Sequence, residues 1–200
     1  MTEQLEKRMY FFVPYNLSPI QQAIQAGHAA LEYARKFKDD AEFIDYADNW
    51  KTWIILNGGT TNSKRESVDP DNRLKFLGIR DIPQGSLDKL LRELFLFDFS
   101  NKDIKLNFSY FTECDLNDAL TAVCFIADER VFNYEKYPDI AEYSKDFMDQ
   151  MKWLELFKNG PVTHDYVQLQ IPLIYDTWME SLGGIKNQFL RSLIRGKKLA

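Results

Sequence analysis

A continuous apolar run at residues 9–13 (Met-Tyr-Phe-Phe-Val) leads through residues 14–17 to Ser18-Pro19, at the head of a long helical pattern. This junction constrains the chain more than any other feature. A short run that is apolar on both faces reads as a buried strand. Ser18 offers a hydroxyl to an otherwise orphan backbone N–H, and Pro19 at the first helical position loses no needed donor. A strand feeding a capped helix is the opening of an α/β fold. The helix is expected to run to about residue 38. At 100° per residue, Ile20, Ile24, Gly27, Leu31, Ala34 and Phe37 share one stripe, expected to face the core. Gln21, Gln25, His28, Glu32 and Arg35 flank it as a polar strip. An imidazole beside amides, at the border of core and water, can orient or deprotonate a ligand. The plainer reading of the same strip is a solvated helix edge.

The pattern continues in alternation. Residues 52–56 (Thr-Trp-Ile-Ile-Leu) form a second buried-strand candidate, closed by the turn signal Asn57-Gly58-Gly59. Residues 60–85 are polar and broken by Asp69-Pro70-Asp71 and Pro83-Gln84-Gly85. Ser86 can cap a helix over 87–95, with Leu87, Leu90, Leu91 and Leu94 at helical spacing. Strands are expected at 106–111 and 120–126, joined by a polar loop, 112–119, that carries Glu113, Asp115 and Asp118. Further on, residues 138–157 look helical up to Asn159-Gly160-Pro161, residues 166–171 alternate like an edge strand, and residues 185–194 are amphipathic. The expected fold is α/β, with a single mixed four-stranded sheet flanked by helices. It occupies residues 1–130, with an insertion at about 58–85. Residues 131–200 are expected to form a mostly helical C-terminal extension packed on it.

Composition narrows the chemistry. A 200-residue chain with 45% hydrophobic residues can bury a sizeable core, and a net charge of −5 argues against a surface coated for nonspecific nucleic-acid binding. Cys114 and Cys124 make no disulfide framework and have no companions at metal-ligand spacing. No Gly-x-Ser-x-Gly elbow, phosphate-binding lysine loop or Cys-x-x-Cys is present, so neither a cofactor nor a metal is called for. The charged N-terminus does not read as a signal peptide, and no apolar run reaches the roughly 18 residues of a membrane span. The expectation is a soluble cytoplasmic protein without membrane association. One basic concentration stands out, Lys186, Arg191, Arg195, Lys197 and Lys198. With Lys64, Arg65, Arg73, Lys75 and Arg80 of the insertion, it is a candidate surface for nucleic-acid phosphates.

The first helix reads Gln21-Gln22-Ala23-Ile24-Gln25-Ala26-Gly27-His28-Ala29-Ala30. This resembles the Lys-x-Ala-Ala-Gln-Cys-x-His-Ala-Ala motif of the type 2 peptidyl-tRNA hydrolase family, with the Gln-x-x-His-Ala-Ala core intact. The following order of strand, leucine-rich helix, strand, acidic loop and strand is similar too, so the resemblance spans residues 7–127. Two departures are evident. The lysine that opens the family motif is Gln21 here, and the family's Asp-Ala-Gly-x-Thr-Gln loop is replaced by a stretch in which Glu113 aligns best with the aspartate. The resemblance implies hydrolysis of the ester between a peptide and the tRNA 3′-terminal ribose. His28, Gln25, Glu113 and Asp115 would then be catalytic, and Gln21, Thr112, Thr121 and Arg35 would contact substrate. It also suggests a homodimer, while the extension offers a surface for a protein partner. The alternative is a non-catalytic relative that uses the same fold to bind RNA, a protein or a small ligand.

Overall fold

The structure is a computed structural model and describes residues 4–61, 85–116, 118–147, 149, 168 and 172–200. The basic residues expected at the insertion, the end of the helix expected at 138–157, and all of the strand expected at 166–171 but Gln168 lie outside them; Gln168 is helical. The chain divides into two compact units. One is Lys7–Ile126 together with Gly196–Ala200, and the other is built on Ala127–Arg195.

The first unit is α/β, with one open mixed four-stranded sheet in the order β2-β1-β4-β3. β1 (Lys7–Pro14) pairs in parallel with β2 (Thr52–Gly59), Met9 opposite Trp53 and Phe12 opposite Leu56. β3 (Phe108–Glu113) runs antiparallel to β4 (Ala119–Asp128). The central strands β1 and β4 are buried nearly end to end, as their unbroken apolar sequences require. Alternation sends Met9, Phe11 and Val13 to one face of the sheet and Tyr10 and Phe12 to the other. The first face carries α1 (Pro19–Phe37), α2 (Ala41–Asp45) and a π-helical turn (Tyr46–Trp50), and their contacts form a core cluster. The opposite face receives α3 (Ser86–Ser100) through Leu87, Leu90 and Leu94.

Ser18 caps α1 as expected, within a full capping box. Its hydroxyl accepts from the Gln21 N–H, and the Gln21 side-chain oxygen accepts from the Ser18 N–H. The expected core stripe of α1 is corrected by the structure. The helix buries Gln22, Gln25, Ala26, Ala29 and Tyr33, while Ile20 is 74% exposed and Leu31 70%. At 100° per residue these two faces are nearly opposite. The sheet beneath already presents Met9, Phe11 and Val13, and small alanines let the helix backbone lie close over them. Periodicity reveals an apolar face, not which face meets the sheet.

Gly58 and Gly59 close the end of β2 by packing. A side chain at Gly58 would press on Leu87, and one at Gly59, whose φ is +84°, would strike Ser86. The turn expected there is therefore where α3 docks on β2. The last five residues return to the sheet. Asn57 N–H donates to the Lys198 carbonyl (2.9 Å), Ala200 N–H to Ile55 (3.0 Å), and Leu56 bridges Leu199 in antiparallel sense. This covers the outer edge of β2, which would otherwise offer unpaired backbone groups. Residues 131–200 are thus not one continuous extension, because Gly196–Ala200 belong with the sheet.

Among its described residues the second unit is helical: α4 (Glu129–Phe132), α5 (Ile140–Tyr143), α6 (Pro172–Leu182) and α7 (Ile185–Ile194). Ile140, Trp178 and Leu182 form its small apolar cluster, and the Trp178 indole N–H donates to the Pro138 carbonyl at 3.0 Å. Polar contacts tie the rest. Asp128 caps α4 through the Arg130 N–H, takes two bonds from the Arg130 guanidinium, and accepts from Asn187 at 3.1–3.2 Å. No described helix is long and apolar enough to cross a membrane.

Candidate functional site

The β3–β4 connection and the inward flank of α1 build the site. β3 and β4 pair Phe111 with Ala122 but Thr112 with Leu120, so Thr121 is an extra residue on β4. A bulge of this kind re-aims the side chain it carries. The Thr121 hydroxyl, 1% exposed, donates to the Gln25 side-chain oxygen at 2.5 Å. Gln25, itself 7% exposed, donates through Nε2 to Glu113 Oε2 at 2.9 Å. The orientation of the Gln25 amide follows from chemistry, since only its nitrogen can face an ionised carboxylate. Glu113 ends β3, and the strand's own pairing therefore holds its carboxylate at the helix. Three side chains far apart in sequence form one hydrogen-bonded chain, hydroxyl to amide to carboxylate.

His28 lies one turn along α1 from Gln25, on the same flank. Its ring packs on Phe111, with centroids 4.5 Å apart, and its Nδ1 is buried without a hydrogen-bond partner among the described residues. The Oε2 of Glu113 is engaged by Gln25. Phe111, which the sequence reading did not single out, is the side chain that seats His28. Its strand alternation was visible, but only the pairing of β3 beside α1 puts it there.

The other expected site residues fall elsewhere. Asp115 is exposed on the 3-10 turn Cys114–Leu116, where its recorded contact is the Cys114 thiol at 3.7 Å. Glu113, Cys114 and Asp115 lie within metal-ligating reach of one another, but two of the three are exposed and they are consecutive on one turn. Gln21 spends its side-chain oxygen on the capping box of α1. Arg35 pairs with Glu32 at 2.7 Å on the exposed helix surface, and Thr112 sits at the strand bulge. The buried thiol of Cys124 donates to the Ala29 carbonyl at 3.4 Å, and burial pushes its pKa well up, so it is an inert core group.

Of the basic concentration near the C-terminus, one member is buried. Arg191 is 3% exposed. It donates to Asp139 (3.1 Å), the Arg130 carbonyl (3.0 Å) and the Tyr137 carbonyl (2.5 Å), and it stacks on Tyr134 with the guanidinium 4.0 Å from the ring centre. Burial and these internal bonds remove it from any phosphate surface. Arg195 pairs with Asp139 at 2.7 Å. Lys186 belongs with these in the helical unit, whereas exposed Lys197 and Lys198 belong with the sheet.

Chemically, the site offers a carboxylate with one oxygen held by an amide, a second amide N–H, and an imidazole whose buried Nδ1 has no hydrogen-bond partner among the described residues. That set can move a proton and donate to a developing oxyanion. Comparison with models of protein families, with characterised proteins and with solved structures finds no match to this chain.

Proposed function

We propose that this protein is a divergent relative of the type 2 peptidyl-tRNA hydrolases and cleaves an acyl ester such as that joining a peptide to the tRNA 3′-terminal ribose. The observation that carries this reading is the Thr121–Gln25–Glu113 chain. It joins the Gln-x-x-His helix motif to the acidic end of β3, where the family resemblance expects an acid. The order of elements β1, α1, β2, α3, β3, β4 is also the order the resemblance implies.

In this reaction Glu113 takes a proton from the attacking water, using the oxygen that Gln25 leaves free. The remaining Gln25 amide N–H donates to the oxyanion that develops on the ester carbonyl, while Thr121 keeps the amide from rotating. Collapse of the tetrahedral intermediate breaks the bond from carbonyl carbon to ribose oxygen. His28, beside Gln25 on the helix flank, delivers the proton that the leaving hydroxyl requires. Positioned acid–base groups of this kind contribute about 10²–10⁴-fold each.

The test is hydrolysis of N-acetyl-aminoacyl-tRNA by the full chain, beside Glu113→Gln and His28→Ala. Turnover by the wild type, with a loss of at least about 100-fold in either folded variant, is expected. Wild-type protein that is folded and releases no more product than buffer overturns the reading, and tRNA or protein binding then becomes the function to pursue.

A further inference from the structure

Beside His28 the sheet unit carries an open apolar groove of about 620 Å³. Its walls include Met9 and Trp53 of the sheet, Phe43 of α2, and Ile24, Leu31 and Ala34 of α1. That volume falls within the range of about 300–1,000 Å³ usual for small-ligand clefts. Leu31 is 70% exposed and Trp53 46%, and large apolar side chains gathered around one depression mark a binding surface. His28 is part of the lining, so the groove and the candidate site share a residue. At 100° per residue, Gln25, His28, Ile24, Leu31 and Gly27 succeed one another around α1 in that order. A substrate with its carbonyl at Gln25 and His28 therefore meets Ile24 and Leu31 next, and then the groove.

Gly27 keeps this space open. Glycine within a helix is destabilising relative to alanine, so it calls for a reason. No internal contact among the described residues supplies one, because a Cβ at Gly27 would meet no atom within 4 Å. Gly27 lines the groove, and its missing side chain leaves room there for a ligand. The lining also says which half of an ester fits. Beyond His28, its polar side chains include Tyr46 and Lys51. The Tyr46 hydroxyl donates to the Thr52 carbonyl (3.3 Å) and hydrogen-bonds with Trp53, while the Lys51 ammonium donates to the Asp48 carbonyl (3.3 Å). A nucleoside in these surroundings would bury ring nitrogens without partners, whereas an aliphatic or aromatic side chain gives up no hydrogen bond.

We propose, resting on the ester cleavage assigned above to Gln25, Glu113 and His28, that the groove receives the acyl half of the substrate. The apolar side chain next to the scissile carbonyl lies over Gly27, between Leu31 and Trp53. The enzyme is thereby selective for acyl esters of large apolar residues, and one helix carries both catalytic groups and the specificity wall.

The test compares kcat/KM of the full chain on N-acetyl-phenylalanyl and N-acetyl-glycyl esters of one tRNA. Wild type is expected to prefer the phenylalanyl ester by about 10-fold or more. Gly27→Leu fills the open space and Leu31→Glu puts a charge on the wall. Each should bring the ratio down to about one, mainly by raising KM for the phenylalanyl ester. Circular dichroism and Tm establish that each variant is folded, and simple structural damage would lower both esters alike and leave their ratio intact. Ile20→Lys, on the outward face but outside the groove, should keep the wild-type ratio. Equal kcat/KM for the two esters in wild type overturns the proposal and leaves the ester cleavage standing. So does a preference that survives in folded Gly27→Leu and Leu31→Glu. A wild type that hydrolyses neither ester overturns the ester cleavage itself, and this selectivity with it.

Discussion

Helices α1 and α7 both turn polar side chains inward, and they do so to opposite ends. α7 buries Asn187 and Arg191, and the contacts there are closed: Asn187 meets Asp128 and the Leu182 carbonyl, while Arg191 is held by Asp139 and two backbone carbonyls. α1 buries Gln22 and Gln25, and the second of these belongs to a chain that ends on the Glu113 carboxylate, while one turn along the helix His28 Nδ1 has no hydrogen-bond partner among the described residues. A buried polar residue is thus scaffold where it ties together backbone carbonyls and an ion pair inside the protein. It is a candidate for chemistry where its hydrogen bonds lead to a carboxylate at the end of a strand. Arg191 looked functional because it lies in a basic run, but its geometry makes it structural.

The largest effect expected from this contrast is on α7. Arg191→Ala leaves the Arg130 and Tyr137 carbonyls without their donor and Asp139 with Arg195 as its remaining ion pair, and should cost about 3 kcal/mol, as for a broken buried network. Urea denaturation checks this, and a loss below about 0.5 kcal/mol would place the arginine in solvent rather than in a closed network. On α1 the matching change is Thr121→Val, nearly isosteric, which leaves the Gln25 oxygen without its donor. It should cost about 1–2 kcal/mol and reduce ester turnover more than its stability loss explains. Equal stability and unchanged turnover would show that the hydroxyl does not position Gln25.

A smaller, pH-dependent effect comes from the core beneath α1. Burial raises the Tyr46 phenol to about 12 from an ordinary value of 10.0, against an opposing hydrogen bond with Trp53. The folded state therefore favours the neutral phenol. The stability this supplies is complete below about pH 10 and is lost as the pH rises towards 12. Thermal melts between pH 9 and 11 should show a steeper decline for wild type than for Tyr46→Phe, and parallel curves would remove Tyr46 as the cause. The smallest effect belongs to the outward face of α1. Ile20→Lys should change monomer stability by no more than about 0.5 kcal/mol, measured by dilute chemical denaturation. A cost of several kcal/mol would mean that this stripe is core after all.

Much of the order of elements was legible because each is announced locally. The run Met9–Val13, the Ser18-Pro19 cap and the leucines of α3 specify their elements without distant partners. That Gln25 and Glu113 share a site was suggested by family resemblance alone, and their hydrogen bond was not foreseen, since 88 residues separate the two and no local pattern connects them. The role of Thr121 depended on a register shift between β3 and β4, which hydrogen-bond geometry produces and composition does not display. The return of Leu199 to β2 was equally silent, because an exposed five-residue tail has no periodicity to read.

By itself, then, the sequence determined the α/β class, the central apolar strands and the capped first helix, all of which follow from short-range propensity and burial pattern. Only the tertiary structure decided which face of α1 meets the sheet. An amphipathic helix with alanines on one side and isoleucines on the other can bury either, and the choice falls to the shape of what lies beneath. Here Met9, Phe11 and Val13 already fill that surface, so the small residues and Gln25 went in and Ile20 and Leu31 stayed out.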